Sequence, residues 1–270
     1  MLGRHASVFY RHRPGDSFVH RLDPRVKVVA AVLFVLSNAL LPDGAWAAFG
    51  LSLLFALAAS AATGLGLGYA AARSLVVLPF VLAAVTTTFS VAGTPVAEPS
   101  LGPWSVTLTD AGLVRFASIV ARALLSVQLM VLLTATTPFP DVLHALAHLR
   151  VPRLLVAVLS FLYRYLFVLG DEAIRLLRAR EARSARRPGT PGGGTILWRA
   201  RVAGNMVGQL FVRSYDRADR VHAAMLARGY RGHLMTLHAH AIGRGDVAVL
   251  ALVVAALSAI QVVSRTPVPW

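Results

Sequence analysis

The 270-residue chain has no cysteine, a single lysine at position 27, and only 12 acidic residues against 27 basic ones. Without thiols it can form neither disulfides nor thiolate metal sites, although this leaves the redox compartment open. Lys27 stands outside any Gly-x-x-x-x-Gly-Lys-Ser/Thr pattern, so no P-loop is present to cradle nucleotide phosphates. The chain therefore does not hydrolyse ATP by that route. Proton-driven carriers bury titrating Asp, Glu or His along their path, and the middle of every apolar run here lacks all three. Autonomous proton coupling is not expected, while sodium coupling through backbone carbonyls stays open. The first 27 residues contain no apolar core of signal-peptide length, so they read as a retained cytoplasmic arm.

What remains is a chain with 56% hydrophobic and 14% charged residues, the composition of a polytopic membrane protein. Its basic residues are clustered. Six precede residue 28, seventeen lie between 138 and 245, and only Arg73, Arg115, Arg122 and Arg265 fall elsewhere. By the positive-inside rule, both clusters belong on the cytoplasmic side.

Apolar runs long enough to cross a bilayer as helices begin at "HRLDPRVK", where Asp23 suits the N-cap and Pro24 the first turn. The expected spans are Val26 to Leu41, Ala45 to Thr63 closed by Gly64, Gly66 and Gly68, Ser74 to Ala92 kinked at Pro79, Asp110 to Thr136, and Val247 to Val263. The segment "GTPVAEPSLGPWSVTLT" has no basic residue and reads as an outside loop with Trp104 near the interface. The run at 154–170 is also long enough to span. Crossing would translocate Arg175, Arg178, Arg180, Arg183, Arg186 and Arg187 and strand Arg164, so 153–184 is expected as one long cytoplasmic helix.

"RPGTPGGGT" follows as a hinge, and then a helix over 197–228 with Met206, Leu210, Ser214, Ala218, Val221 and Met225 on one stripe. Asp216 and Arg220 have the favourable i,i+4 order, and Gly229 suits a left-handed C-terminal cap. The expected fold is all-α: a cytoplasmic arm at 1–25, a four-helix membrane domain at 26–136, a cytoplasmic helical module at 137–245, and a final span with an outside tail at 246–270.

Arg115 and Arg122 lie seven residues apart on one helix face. Either they form a polar face towards a partner or cavity, or Arg115 snorkels outward while Arg122 meets a backbone carbonyl. His144 and His148 have i,i+4 spacing, and His233, His238 and His240 cluster, but neither group has a cysteine beside it, and they read as an ordinary amphipathic helix face and a solvated loop. His5, His12 and His20 carry less weight still, so no metal or cofactor is expected. The basic module has six acids among its arginines and no nucleic-acid-binding motif, so nucleic acid is not expected as a partner. Enforcing topology and meeting anionic lipid would explain which side the arginines occupy. It leaves two of them unexplained.

Those two stand in "EARSARR" and "MLARGYRG". Arg183 lies between Ala182 and Ser184, and Arg228 between Ala227 and Gly229, each at a helix end where unpaired carbonyls favour a cation and small neighbours allow close approach. Each is shaped as a charged peg for a groove lined by carboxylates or carbonyls, and two pegs imply two sockets.

"PGDSFVHRLDPRVK", "FLYRYLFVLGDEAIRLLRAREARSARR" and "RSYDRADRVHAAMLARGYRG" resemble the transmembrane T component of energy-coupling-factor transporters, the last two most of all its cobalt-type branch, CbiQ. The resemblance implies a non-catalytic membrane scaffold whose cytoplasmic coupling helices join two ATP-binding subunits to a separate substrate-binding membrane subunit. It also implies that Ala182, Arg183 and Ser184 and Ala227, Arg228 and Gly229 form the coupling motifs, and that the cargo is cobalt, or nickel or a vitamin in relatives of the same design. The competing expectations are a self-sufficient channel or secondary carrier and, last, a membrane-bound enzyme, for which no nucleophile–base pair is identifiable.

Overall fold

The structure is a computed structural model that describes residues 15–97, 100–101, 104–105, 108–183, 195–232 and 243–266. Expectations for the arm before residue 15 (with His5 and His12), Ser184, the 187–194 part of the hinge, His233, His238, His240 and the tail from 267 lie outside the described residues. The helices are α1 (Phe18–Arg21), α2 (Pro24–Ala39), α3 (Trp46–Thr63), α4 (Leu67–Ser74), a 3-10 turn (Leu75–Val77), α5 (Leu78–Ala84) and α6 (Thr87–Ser90). After four short strands come α7 (Asp110–Thr136), α8 (Phe139–His148), α9 (Arg153–Arg183), α10 (Ile196–Ala227) and α11 (Arg244–Arg265). The chain divides into two compact units, one holding α1–α8, the strands and α11, the other holding α9 and α10.

In the first unit α2 is the central element, flanked by α7, α8 and α11. It starts as its sequence prescribes: the Asp23 side chain accepts a hydrogen bond from the Arg25 amide at 2.8 Å, with Pro24 in the first turn. Asp246 ties that start to α11, one carboxylate oxygen accepting from the Asp23 amide at 3.0 Å and the other from the Gly243 amide at 2.9 Å. α3 buries Ala48, Ser52, Ala56 and Ser60, small residues at every fourth position that let its backbone approach α7 and α11 closely. Phe34 of α2 is buried and stacks on Phe55 of α3 with ring centroids 5.3 Å apart. Leu125, Leu129 and Leu132 of α7 and Val253, Leu257 and Ile260 of α11 complete the core.

α7 has the bounds expected from the sequence. The third span does not: its helix begins at Leu67, seven residues before the expected start at Ser74, and breaks into α4, the 3-10 turn, α5 and α6. Pro79 accounts for the 3-10 turn at Leu75–Val77, since it has no N–H for the Leu75 carbonyl and its ring crowds that turn. Packing accounts for the early start: Ala70 lies fully buried among the core residues. In the expected outside loop β1 (Pro95–Ala97) pairs antiparallel with β4 (Leu108–Thr109), and β2 (Ser100–Leu101) with β3 (Trp104–Ser105).

Five described helical stretches are long and apolar enough to cross a membrane: 46–63, 68–89, 110–136, 153–183 and 244–265. The number equals the expected one, but the membership differs. α2 has only 16 residues, about 24 Å of helix against a hydrocarbon core of about 30 Å, whereas α9 meets the requirement by length and composition. The chain is an all-α, multi-pass membrane protein.

Candidate functional site

The second unit consists of two long helices, of 31 and 32 residues. α10 starts at Thr195, whose side chain accepts from the Trp198 amide at 3.3 Å. Its predicted stripe is largely the partly buried one: Met206, Leu210, Ser214, Val221 and Met225 are shielded, while Ala218 is exposed and Arg217 shielded in its place. Across from it α9 presents Leu154, Phe161, Tyr165 and Leu169, and the two helices enclose an apolar groove of about 460 Å³.

Three contacts fix the direction of the pair. The Arg180 guanidinium lies over the Trp198 ring, 5.9 Å from its centroid. Glu172 accepts from Arg213 Nη1 at 2.8 Å, and Arg175 stands 3.4 Å from the same carboxylate. Leu154 shares a groove wall with Met225 and Tyr230. As α9 advances, α10 recedes, so the helices run antiparallel. The α10 tip lies beside the start of α9, and Arg183 stands a helix length away, about 45 Å at 1.5 Å per residue.

Each tip is built locally. At the end of α10, Gly229 takes φ +81°, its amide donates to the Leu226 carbonyl at 3.0 Å, and the Tyr230 amide donates to the Met225 carbonyl at 3.0 Å. This is a Schellman closure, and it makes Arg228 the C-cap, as the sequence anticipates for Gly229. Ala227 and Arg228 are exposed. Ala182 and Arg183 are the last described residues of α9 and are likewise exposed. Among the described residues neither Arg183 nor Arg228 has an ion-pair partner within 4.0 Å. Positive charge at a C-terminal helix end is favoured by the carbonyl dipoles behind it and is left free to meet acceptors elsewhere.

Sequence reasoning left Arg115 and Arg122 with two readings and no acid. The structure supplies Asp43, in the turn between α2 and α3. Arg122 Nη2 donates to its carboxylate at 2.8 Å and also to the Leu41 carbonyl, and Arg115 Nε lies 3.9 Å from the other oxygen. The Gly44 amide donates to Ser118 Oγ at 3.0 Å, and Asn38 Nδ2 reaches the Arg122 carbonyl and Ser126 Oγ, both at 3.3 Å. The carbonyl part of this arrangement was foreseeable; Asp43 lies 72 and 79 residues away from the two arginines, and no local spacing points to it. His144 and His148 do share a face, with ring centroids 4.4 Å apart, and His148 Nδ1 lies 3.0 Å from the His144 carbonyl oxygen. No group of three potential metal ligands occurs among the described residues.

Comparison with known proteins bears on this architecture. The family model described as "Cobalt transport protein", CbiQ, matches residues 15–237. The energy-coupling factor transporter transmembrane protein EcfT of Lactococcus lactis is 28% identical over 230 residues, covering 82% of this chain and 84% of the relative. The cobalt transport protein CbiQ of Rhodobacter capsulatus is 30% identical over 149 residues, 55% of this chain and 58% of the relative. The nickel permease LarQ of Lactiplantibacillus plantarum is 36% identical over 98 residues, 36% of this chain and 33% of the relative. With the family match running from the start of the described chain through both long helices, the protein belongs to the CbiQ family of cobalt transport proteins.

Proposed function

We propose that this chain is the transmembrane scaffold subunit of an ATP-driven energy-coupling-factor importer for cobalt ions, and that α9 and α10 are its coupling helices. The likeness to EcfT over most of both chains supports the subunit class. The observation that carries the mechanism is the pair of exposed arginine tips at opposite ends of one antiparallel helix pair. A spacing of about 45 Å is too large for one binding site, so each tip addresses its own ATP-binding subunit. Nucleotide-driven closure of those subunits draws the tips together and works on the crossing between the helices, which passes the movement to a separate substrate-binding membrane subunit. The N-terminal arm and the long-helix unit lie in the cytoplasm, where ATP is hydrolysed by the partners.

Charge reversal tests this. In membranes carrying the full complex, Arg183→Glu with Arg228→Glu should abolish co-purification of the ATP-binding subunits and cobalt uptake while the chain stays membrane-inserted. Each single reversal should release one ATP-binding contact and spare the other. Unchanged recruitment in the double variant rejects the docking role. Similarity to a nickel permease gives a second cargo reading, separated by measuring cobalt and nickel uptake in the same cells.

A further inference from the structure

A second cavity, also about 460 Å³, opens in the first unit beside the start of α2, with Asp16, His20, Arg21, Lys27, Thr136 and Asp141 among its lining residues. Lys27, the only lysine, is 8% exposed. Its ammonium donates to the His20 carbonyl at 3.1 Å, and among the described residues no carboxylate oxygen lies within 4.0 Å of it. An ammonium carries three donors, and a buried charge requires them to be met. Two therefore have no partner among the described residues, at the wall of the cavity.

The position of the cavity narrows the occupant. Thr136 is the last residue of a helix long and apolar enough to span, and Lys27 lies in the opening turns of α2, so the cavity is level with a membrane–water boundary. Basic pockets between helices at that level hold lipid headgroups. This wall also carries acids: Lys27 and Arg21 are matched by Asp141 and Asp16. Such a lining rejects a purely anionic headgroup and suits one with a phosphate and a primary ammonium. A bare ammonium can donate to both carboxylates, whereas a quaternary one cannot. The volume falls in the usual range for a small polar ligand.

We propose that this cavity is a binding site for the headgroup of phosphatidylethanolamine, with the phosphate on Lys27 and Arg21 and the ammonium on Asp141 and Asp16. To test it, the full chain is purified in mild detergent and mixed separately with phosphatidylethanolamine, phosphatidylcholine and phosphatidylglycerol. Retained lipid is counted by native mass spectrometry, and thermal melting is followed in parallel. Phosphatidylethanolamine should be retained about tenfold over phosphatidylcholine, the scale expected for one hydrogen-bonded charge contact. Lys27→Met should remove that preference and Lys27→Arg keep it. Arg21 is exposed, so Arg21→Gln gives a variant that folds even if Lys27→Met does not, and it should weaken retention of every phospholipid. Asp141→Asn should shift the preference towards phosphatidylglycerol. Equal retention of the three lipids by the wild type overturns the proposal, as does retention unmoved by Arg21→Gln or a preference unmoved by Asp141→Asn. Stabilisation by inorganic phosphate without lipid selectivity assigns the site to a free anion and likewise overturns it.

Discussion

A methyl group added at Gly112 would lie 2.5 Å from the Thr88 carbonyl oxygen and 2.8 Å from Thr109 Oγ1. Both neighbours are fixed: Thr109 caps α7 through the Gly112 amide at 3.2 Å and donates to the Val91 carbonyl at 2.7 Å. Gly112→Ala should therefore push α6 away from α7 and cost about 1–3 kcal/mol, the range for overpacking a well-filled site, read as a lower melting temperature in detergent. Arg122→Leu is a second test at this scale. It removes a charged donor from Asp43 and the Leu41 carbonyl, and should cost about 2 kcal/mol, since hydrogen bonds to charged groups are the stronger class. Some single residues were legible in advance. Asp23 and Gly229 perform their capping roles because a cap depends on the residues beside it in the chain. Gly112 was not legible, because the atoms that exclude a side chain there include Thr88, across the loop on another helix.

The long helices show the same division among elements. α10 could be drawn from its hydrophobic period, and its stripe is shielded at five of the six expected positions, because periodicity states which face is apolar whatever covers it. What covers it comes from α9, held by Glu172 and Arg213 across the pair. Sequence spacing drew attention to Asp216 and Arg220 on one helix; the cross-helix ion pair joins residues 41 positions apart. Glu172→Arg should loosen the pair and raise amide exchange along α10, and Glu172→Arg with Arg213→Glu should restore protection. An unchanged exchange pattern in the single variant would remove the bridge from the account. The third span illustrates the limit of local signals: Gly64, Gly66 and Gly68 read as one long terminator, yet helix resumes at Leu67 because burying Ala70 in the core outweighs the weak helix propensity of Gly68.

For the whole molecule, the absence of cysteine makes orientation directly measurable. Leu40→Cys, exposed in the α2–α3 turn, should react with an impermeant maleimide in intact cells, and Ala200→Cys, exposed on α10, only after inversion or permeabilisation. The opposite pattern would put the arginine tips outside the cell and end the coupling proposal. The sequence by itself determined the helical class, the membrane setting, the bounds of α7 and, within a residue, of α10, and the glycine cap that closes α10, since apolar run length, helical period and capping all act between near neighbours. Tertiary structure decided that Arg115 and Arg122 converge on one Asp43, that Glu172 meets Arg213, that Lys27 borders a cavity, and that Arg183 and Arg228 face opposite ways. Each of these joins segments distant in the chain. Which segments meet is settled by the side chains that fill the space between helices, and no spacing along a single helix records that.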